Sequence, residues 1–238
     1  MVLDPLTISN GILMLILDAI SLTVGLTIFL KYFKYKQRAL AFVGLAWIFI
    51  ACPWYPGAIS FIMFLLTEQY LGPEIYMIIG NIFIPIALIM WIAGFTELLY
   101  EKKQKLLVLL CAIYAVVFYI VFFYLLTLNP LLIGNVMGID VKYADFIVMY
   151  SLSVLLVVII TGIMFTNKSR KDPNPEIRLK SKFLLLAFIL YTIGTSLDAL
   201  LTLDYFTLII FRGLEISAAI SFYLGFILPE RVKKIFIK

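Results

Sequence analysis

Hydrophobic positions in this chain do not alternate with polar ones; they run in long blocks separated by short polar connections. About 20 apolar residues wound as a helix rise about 30 Å, the depth of a bilayer's hydrocarbon core. Blocks of that size occupy 10–30, 40–66, 74–99, 106–128, 144–166, 183–203 and 206–228. The pattern predicts an all-α, polytopic membrane protein with seven transmembrane helices in one domain over 1–238. The second block is long and holds Pro53 and Pro56, so a kinked or partly unwound segment is expected there. After Leu228-Pro229-Glu230, the tail at 229–238 is expected to lie along the membrane surface as a short amphipathic helix.

Composition makes the bilayer the solvent. The chain is 64% hydrophobic and 14% charged, with a mean hydropathy of +1.10, where soluble domains run at about 45–50% and about 25%. Aromatic residues make up 16%, in keeping with rings that gather at membrane interfaces and pack between helices. No basic residue precedes Lys31, so the first block lacks a leader's positive start and is expected to remain as a helix. Cys52 and Cys111 fall inside predicted helices and read as small packing residues. The chain has no His, which argues against intramembrane zinc hydrolases, haem proteins and His proton relays.

Charge orients the helices. Lys31, Lys34, Lys36 and Arg38 follow the first, and Lys102, Lys103 and Lys105 follow the third. Lys168, Arg170, Lys171, Arg178, Lys180 and Lys182 lie between the fifth and sixth, and Arg231, Lys233, Lys234 and Lys238 follow the seventh. Seventeen of the 19 basic residues thus share one side; Lys142 lies opposite and Arg212 inside the seventh helix. The positive-inside rule predicts a cytoplasmic C-terminus and an N-terminus outside, in a multi-pass cell-membrane protein. The basic face fits anionic lipid headgroups and a cytoplasmic protein partner at Lys168–Lys182; nucleic acid is not an expected partner. Asn167-Lys168-Ser169 matches a glycosylation sequon but falls on the cytoplasmic side, where it is expected to be silent.

A parallel echo links the two halves. Gly94-Phe95 and Gly225-Phe226 end the third and seventh helices before basic runs, which aligns Asn81 with Arg212. Leu40-Ala41-Phe42 matches Leu186-Ala187-Phe188, and Gly25 matches Gly162. These matches are consistent with two three-helix repeats joined by the fourth helix, which has no ionisable residue except tyrosines from Leu106 to Leu128 and is free to face lipid.

Ionisable groups inside the bilayer are costly and mark functional or structural polar networks. At about 1.5 Å per residue, Asp18, Asn81, Asp198 and Arg212 lie roughly 9–12 Å below the outer surface, with Glu215 slightly deeper. Tyr191, Thr195, Asp198 and Thr202 share one helical face, as do Asp18, Ser21 and Gly25, while Arg212 and Glu215 sit one turn apart. One reading is an outward-open pocket lined by Asp18, Trp54, Tyr55, Asn81, Asp198, Arg212 and Glu215, suited to a small polar or cationic ligand. The other is a sealed polar network that locks the helices. Glu97 is expected to pair with Lys102 or Lys103, and Trp91 to serve packing.

Seven helices with an outer N-terminus resemble rhodopsins and G-protein-coupled receptors in topology. A retinal Schiff base would need a lysine in the seventh helix, and Phe206–Leu228 has none, so neither retinal nor another cofactor is expected. The Asp/Glu-Arg-Tyr and Asn-Pro-x-x-Tyr signatures of those receptors are also missing. The three-plus-one-plus-three echo resembles small sugar transporters. Leu228-Pro229-Glu230-Arg231-Val232-Lys233-Lys234 and the basic loop before Phe183 look similar to uncharacterised archaeal seven-helix proteins. The leading expectation is a receptor or sensor signalling to a separate cytoplasmic partner, ahead of a small-solute transporter and a scaffold subunit without ligand. An enzyme is not expected, since no nucleophile, base and metal can be assembled.

Overall fold

A computed structural model describes residues 3–201 and 204–237. Helix α1 (Pro5–Tyr35) starts where the Asp4 carboxylate accepts the backbone N–H of Leu6 and Thr7. The second block is broken into α2 (Arg38–Ile50) and α3 (Tyr55–Thr67), bent by 54° around Pro53. The third is interrupted at Ile82-Phe83, just ahead of Pro85, into α4 (Pro73–Asn81) and α5 (Ile84–Leu99). Helices α6 (Gln104–Leu128), α7 (Asp145–Ser169), α8 (Pro175–Leu200), α9 (Tyr205–Ile227) and the short α10 (Glu230–Phe236) follow. Among the described residues, six helical segments are long and apolar enough to cross a membrane, or seven with the bent α2–α3 pair counted as one.

Two boundaries differ from the hydropathy blocks. Asn174 caps α8 by accepting the N–H of Glu176, with Pro175 at the first helical position. These signals start the helix eight residues before the apolar block at 183, so Arg178, Lys180 and Lys182 lie on α8 rather than in a loop. The connection from α6 to α7 is also not an open loop. It folds into an antiparallel hairpin of β1 (Gly134–Met137) and β2 (Asp140–Tyr143), turned by Gly138 at φ +70.

Six spans close a ring in which α1 packs on α2, α2 on α5, α5 on α7, α7 on α8, α8 on α9, and α9 back on α1. Helix α6 stands outside against α5, its Phe118 stacked on Tyr150 of α7 at 3.9 Å. Polar groups point inward, while Leu109, Ile113, Val117 and Ile120 of α6 face outward, the arrangement a lipid solvent demands.

Glycines set the closest approaches. A Cβ on Gly44 would lie 2.6 Å from the Phe29 backbone nitrogen and 2.7 Å from the Gly25 carbonyl oxygen, so α1 and α2 touch backbone to backbone. Gly94 of α5 also meets α2, at Phe42 and Val43, while Gly162 of α7 and Gly225 of α9 meet α8, at Phe188 and Leu184.

The helix breaks leave carbonyls that lipid cannot satisfy. Side chains take them instead: Tyr55 donates its hydroxyl to Ile48, Tyr191 to Ile50 and Tyr119 to Ile82, while the Cys52 thiol donates to Gly80. Cys52 is therefore more than a packing residue. Glu97 makes no ion pair with Lys102 or Lys103 among the described residues; its helix ends at Leu99, and the chain turns away through Glu101–Lys103 before α6.

Candidate functional site

Charges on α8 and α9 meet at the hairpin end of the bundle. Arg212, only 1% exposed, directs one guanidinium nitrogen to Asp198 at 3.0 Å and Glu215 at 2.9 Å. A second nitrogen donates to the Asn10 side-chain oxygen at 3.4 Å, bringing in α1. The Trp54 indole donates to the same Asp198 oxygen at 3.2 Å, and the guanidinium lies over the Trp54 ring at 5.9 Å. The α2–α3 break is what turns Trp54 inward. Gly194 makes room for Glu215, whose side chain would lie 3.1 Å from a Cβ at that position.

The remaining predicted residues sit around this core. Asp18 is buried on α1 with no hydrogen-bond partner for Oδ1, within electrostatic reach of Arg212. Tyr55 points to the α2 end at Ile48. Asn81 is fully buried at the end of α4, where its amide donates to Met77, and no hydrogen bond joins it to Arg212. Thr195 lies near the core on α8 with a buried hydroxyl, whereas Thr202 falls outside the described residues.

The hairpin seals this end. Ile133 and Ile139 are buried, and the carbonyls of Ile139 and Gly138 accept from Tyr76 at 2.9 Å and Ser60 at 3.0 Å. A Cβ on Gly57 would lie 2.7 Å from the Ile139 carbonyl oxygen, so this glycine lets the hairpin tip seat. The tip also brings Asp140 within electrostatic reach of Asp198 and Arg212, and burial pushes the Asp140 carboxyl above its ordinary value. Sequence reasoning missed Asp140 and Asn10. The two-residue turn Gly138-Ile139 between Val136-Met137 and Asp140-Val141 was the available signal for Asp140.

Below the charges the ring is packed with aromatic rings. Trp47 stacks on Phe222 at 3.9 Å, and Trp91 meets Phe188 edge-on at 5.3 Å while donating to Thr161 at 2.7 Å. A cavity of about 20 Å³ lies among Trp47, Trp91, Val158, Phe188, Tyr191 and Phe222, room for about one water. At the basic end a vestibule of about 200 Å³ opens among Leu40, Leu98, Phe165, Leu184 and Phe226, with Lys180 and Ser181 on its wall.

Of the other predicted basic residues, Arg178 donates to the carbonyls of Asp172 and Pro173, closing its own turn. Lys168 lies in the last turn of α7, Arg170 and Lys171 lie in the turn that follows, and Lys182 lies on α8. Helix α10 is tied to α8 by Lys233–Glu176 at 2.7 Å and by Phe236 against Phe183. The same Glu176 holds Lys180 at 2.8 Å. No family model matches the chain, and no curated protein matches it.

Proposed function

We propose that this chain is a seven-span membrane receptor or sensor with its hairpin end outside, its basic end in the cytoplasm, the charged band as input and the vestibule as output. The observation that carries this reading is the shared framework of the two ends. Helices α8 and α9 hold Asp198, Arg212 and Glu215 near the hairpin, and Lys180, Ser181, Leu184, Gly225 and Phe226 at the vestibule. A change in the ion pairs shifts rigid helices whose far ends form the vestibule, with the Trp47–Phe222 stack lying between the two ends. The distribution of Lys and Arg supports the orientation. An acidic, partly apolar segment of a cytoplasmic partner suits the vestibule and its basic rim.

A fluorophore on α8 beside the vestibule tests this reading in full-length protein in nanodiscs. Small cationic and zwitterionic solutes added from the hairpin side are expected to shift its emission. An unchanged emission for every solute that raises Tm would refute coupling between the two ends.

A small-solute carrier is the second reading. It is favoured by the breaks in α2–α3 and α4–α5, and by the ring order, in which α1–α2–α5 and α7–α8–α9 follow the same sequence with Gly25, Gly94, Gly162 and Gly225 each packed on the middle span of its half. Uptake into liposomes that is lost in Asp198→Asn would establish it over the receptor.

A further inference from the structure

The charged band carries more acid than its single guanidinium balances. Asp18, Asp140, Asp198 and Glu215 lie around Arg212, whose charge acts on Asp18, Asp140 and Glu215 and is, among the described residues, the basic charge found to do so. Their hydrogen bonds divide them. Asp198 receives both Arg212 and the Trp54 indole through Oδ2, while its Oδ1 is buried without a partner among the described residues; the two bonds make it the standing counterion. Asp140 accepts the N–H of Val141 at the bundle's rim.

Glu215 and Asp18 are held by fewer bonds. Glu215 shares Arg212 with Asp198 through one oxygen and buries the other without a partner. Asp18 is 7% exposed, and its buried Oδ1 has no hydrogen-bond partner among the described residues. It stands on α1 apart from the α8–α9 ion pairs, an unpartnered side chain facing the same Arg212 charge. Charge without a partner is expensive in such surroundings, so the folded protein must hold compensating positive charge there.

We propose that the band binds one exchangeable monovalent cation, a proton or an alkali-metal ion, on Asp18 and Glu215. This deepens the receptor reading by naming the ligand class of the same band. The charged and titratable groups facing the site are Arg212 from α9, Asp198 and Tyr191 from α8, Tyr55 from α3, Cys52 from the α2–α3 break and Asp140 from the hairpin. A bound cation leaves Arg212 to Asp198. An empty site makes Glu215 and Asp18 compete with Asp198 for it, loosening the tie between α8 and α9.

The test uses the full chain in nanodiscs of zwitterionic lipid, in an Asp140→Asn background that removes the rim carboxyl. Tm is followed in choline, sodium and potassium chloride at constant ionic strength, and from pH 5 to 9 in choline. A metal ion as the source raises Tm by about 3–5 °C for each tenfold rise in sodium or potassium over choline. A proton as the source gives a Tm that falls as pH rises and ignores the metal. Either dependence is expected to vanish in Asp18→Asn with Glu215→Gln.

If that double variant does not fold, Asp18→Asn alone is read by Trp54 emission with Trp47 and Trp91 replaced by Phe; its response to the cation is then lost. A Tm flat in all series overturns the proposal, as does a dependence that survives both substitutions. A cation-dependent Tm with an unmoved vestibule probe upholds the cation site and sinks the receptor reading instead.

Discussion

Tyr191 on α8 donates its hydroxyl to the backbone carbonyl of Ile50, 3.0 Å away at the last residue of α2. The bond crosses the bundle to satisfy an acceptor that the α2–α3 break releases. A stranded carbonyl is costly among apolar side chains, so the hydroxyl supports a discontinuity in a different span. Tyr191→Phe is expected to destabilise the protein by about 1–3 kcal/mol, seen as a lower midpoint in detergent denaturation. A midpoint equal to wild type would mean that the break is held by other contacts.

Arg212→Ala removes the guanidinium shared by Asp198 and Glu215. Breaking such a pair from one side costs about 3–5 kcal/mol because the opposing charge stays buried. Arg212→Met combined with Asp198→Asn and Glu215→Gln is expected to recover much of that loss. Denaturation midpoints of the single and triple variants compare the two; a triple variant no better than Arg212→Ala would contradict the electrostatic account.

Close helix approach gives a sharper contrast. Gly44→Ala drives a methyl into the backbone of α1, whereas a Cβ on Gly213 meets nothing within 4 Å. Gly44→Ala is expected to lower Tm by several degrees, through a loss of at least about 1 kcal/mol, and Gly213→Ala to leave it unchanged or raise it.

The hairpin supplies a pH dependence. Burial holds Asp140 above the ordinary value of 3.8, and Asp198 pushes the same way, against the Val141 N–H and Arg212. A raised carboxyl contributes stability that is complete below the unfolded value and is lost as pH rises through the folded one. Hairpin amides are therefore expected to exchange faster, after correction for intrinsic rates, as pH rises from about 4. Asp140→Asn is expected to flatten that trend.

Orientation is open to direct chemistry. Cysteines at the exposed positions Met137 and Lys171, in a chain lacking Cys52 and Cys111, are expected to react from outside and inside the cell, respectively, with a membrane-impermeant reagent. The reverse pattern would invert the proposed topology.

The spans and the break after Ile50 were legible because apolar length and proline act locally. The polar band was legible as depth along each helix, which brought Asp198, Arg212 and Glu215 to one level. Trp54 was expected beside them from the prolines that flank it, but Asn10 was not: it reaches Arg212 through the rotation of α1, which hydropathy does not encode. The start of α8 was hidden because Asn174-Pro175-Glu176 extends a helix through charged residues that read as loop. The hairpin was hidden because strands of four residues carry too little periodicity to stand out between two apolar blocks.

The hairpin rests on Gly57, Ser60, Tyr76 and Met77, all of which precede it in the chain, whereas Arg212 comes from the seventh span. During synthesis the lid is therefore available before the guanidinium that the acids beneath it require. Asp18 lies on the first helix and the guanidinium that acts on it on α9, so a chain ending after α8 would keep the supports of the lid and lack the charge of Arg212.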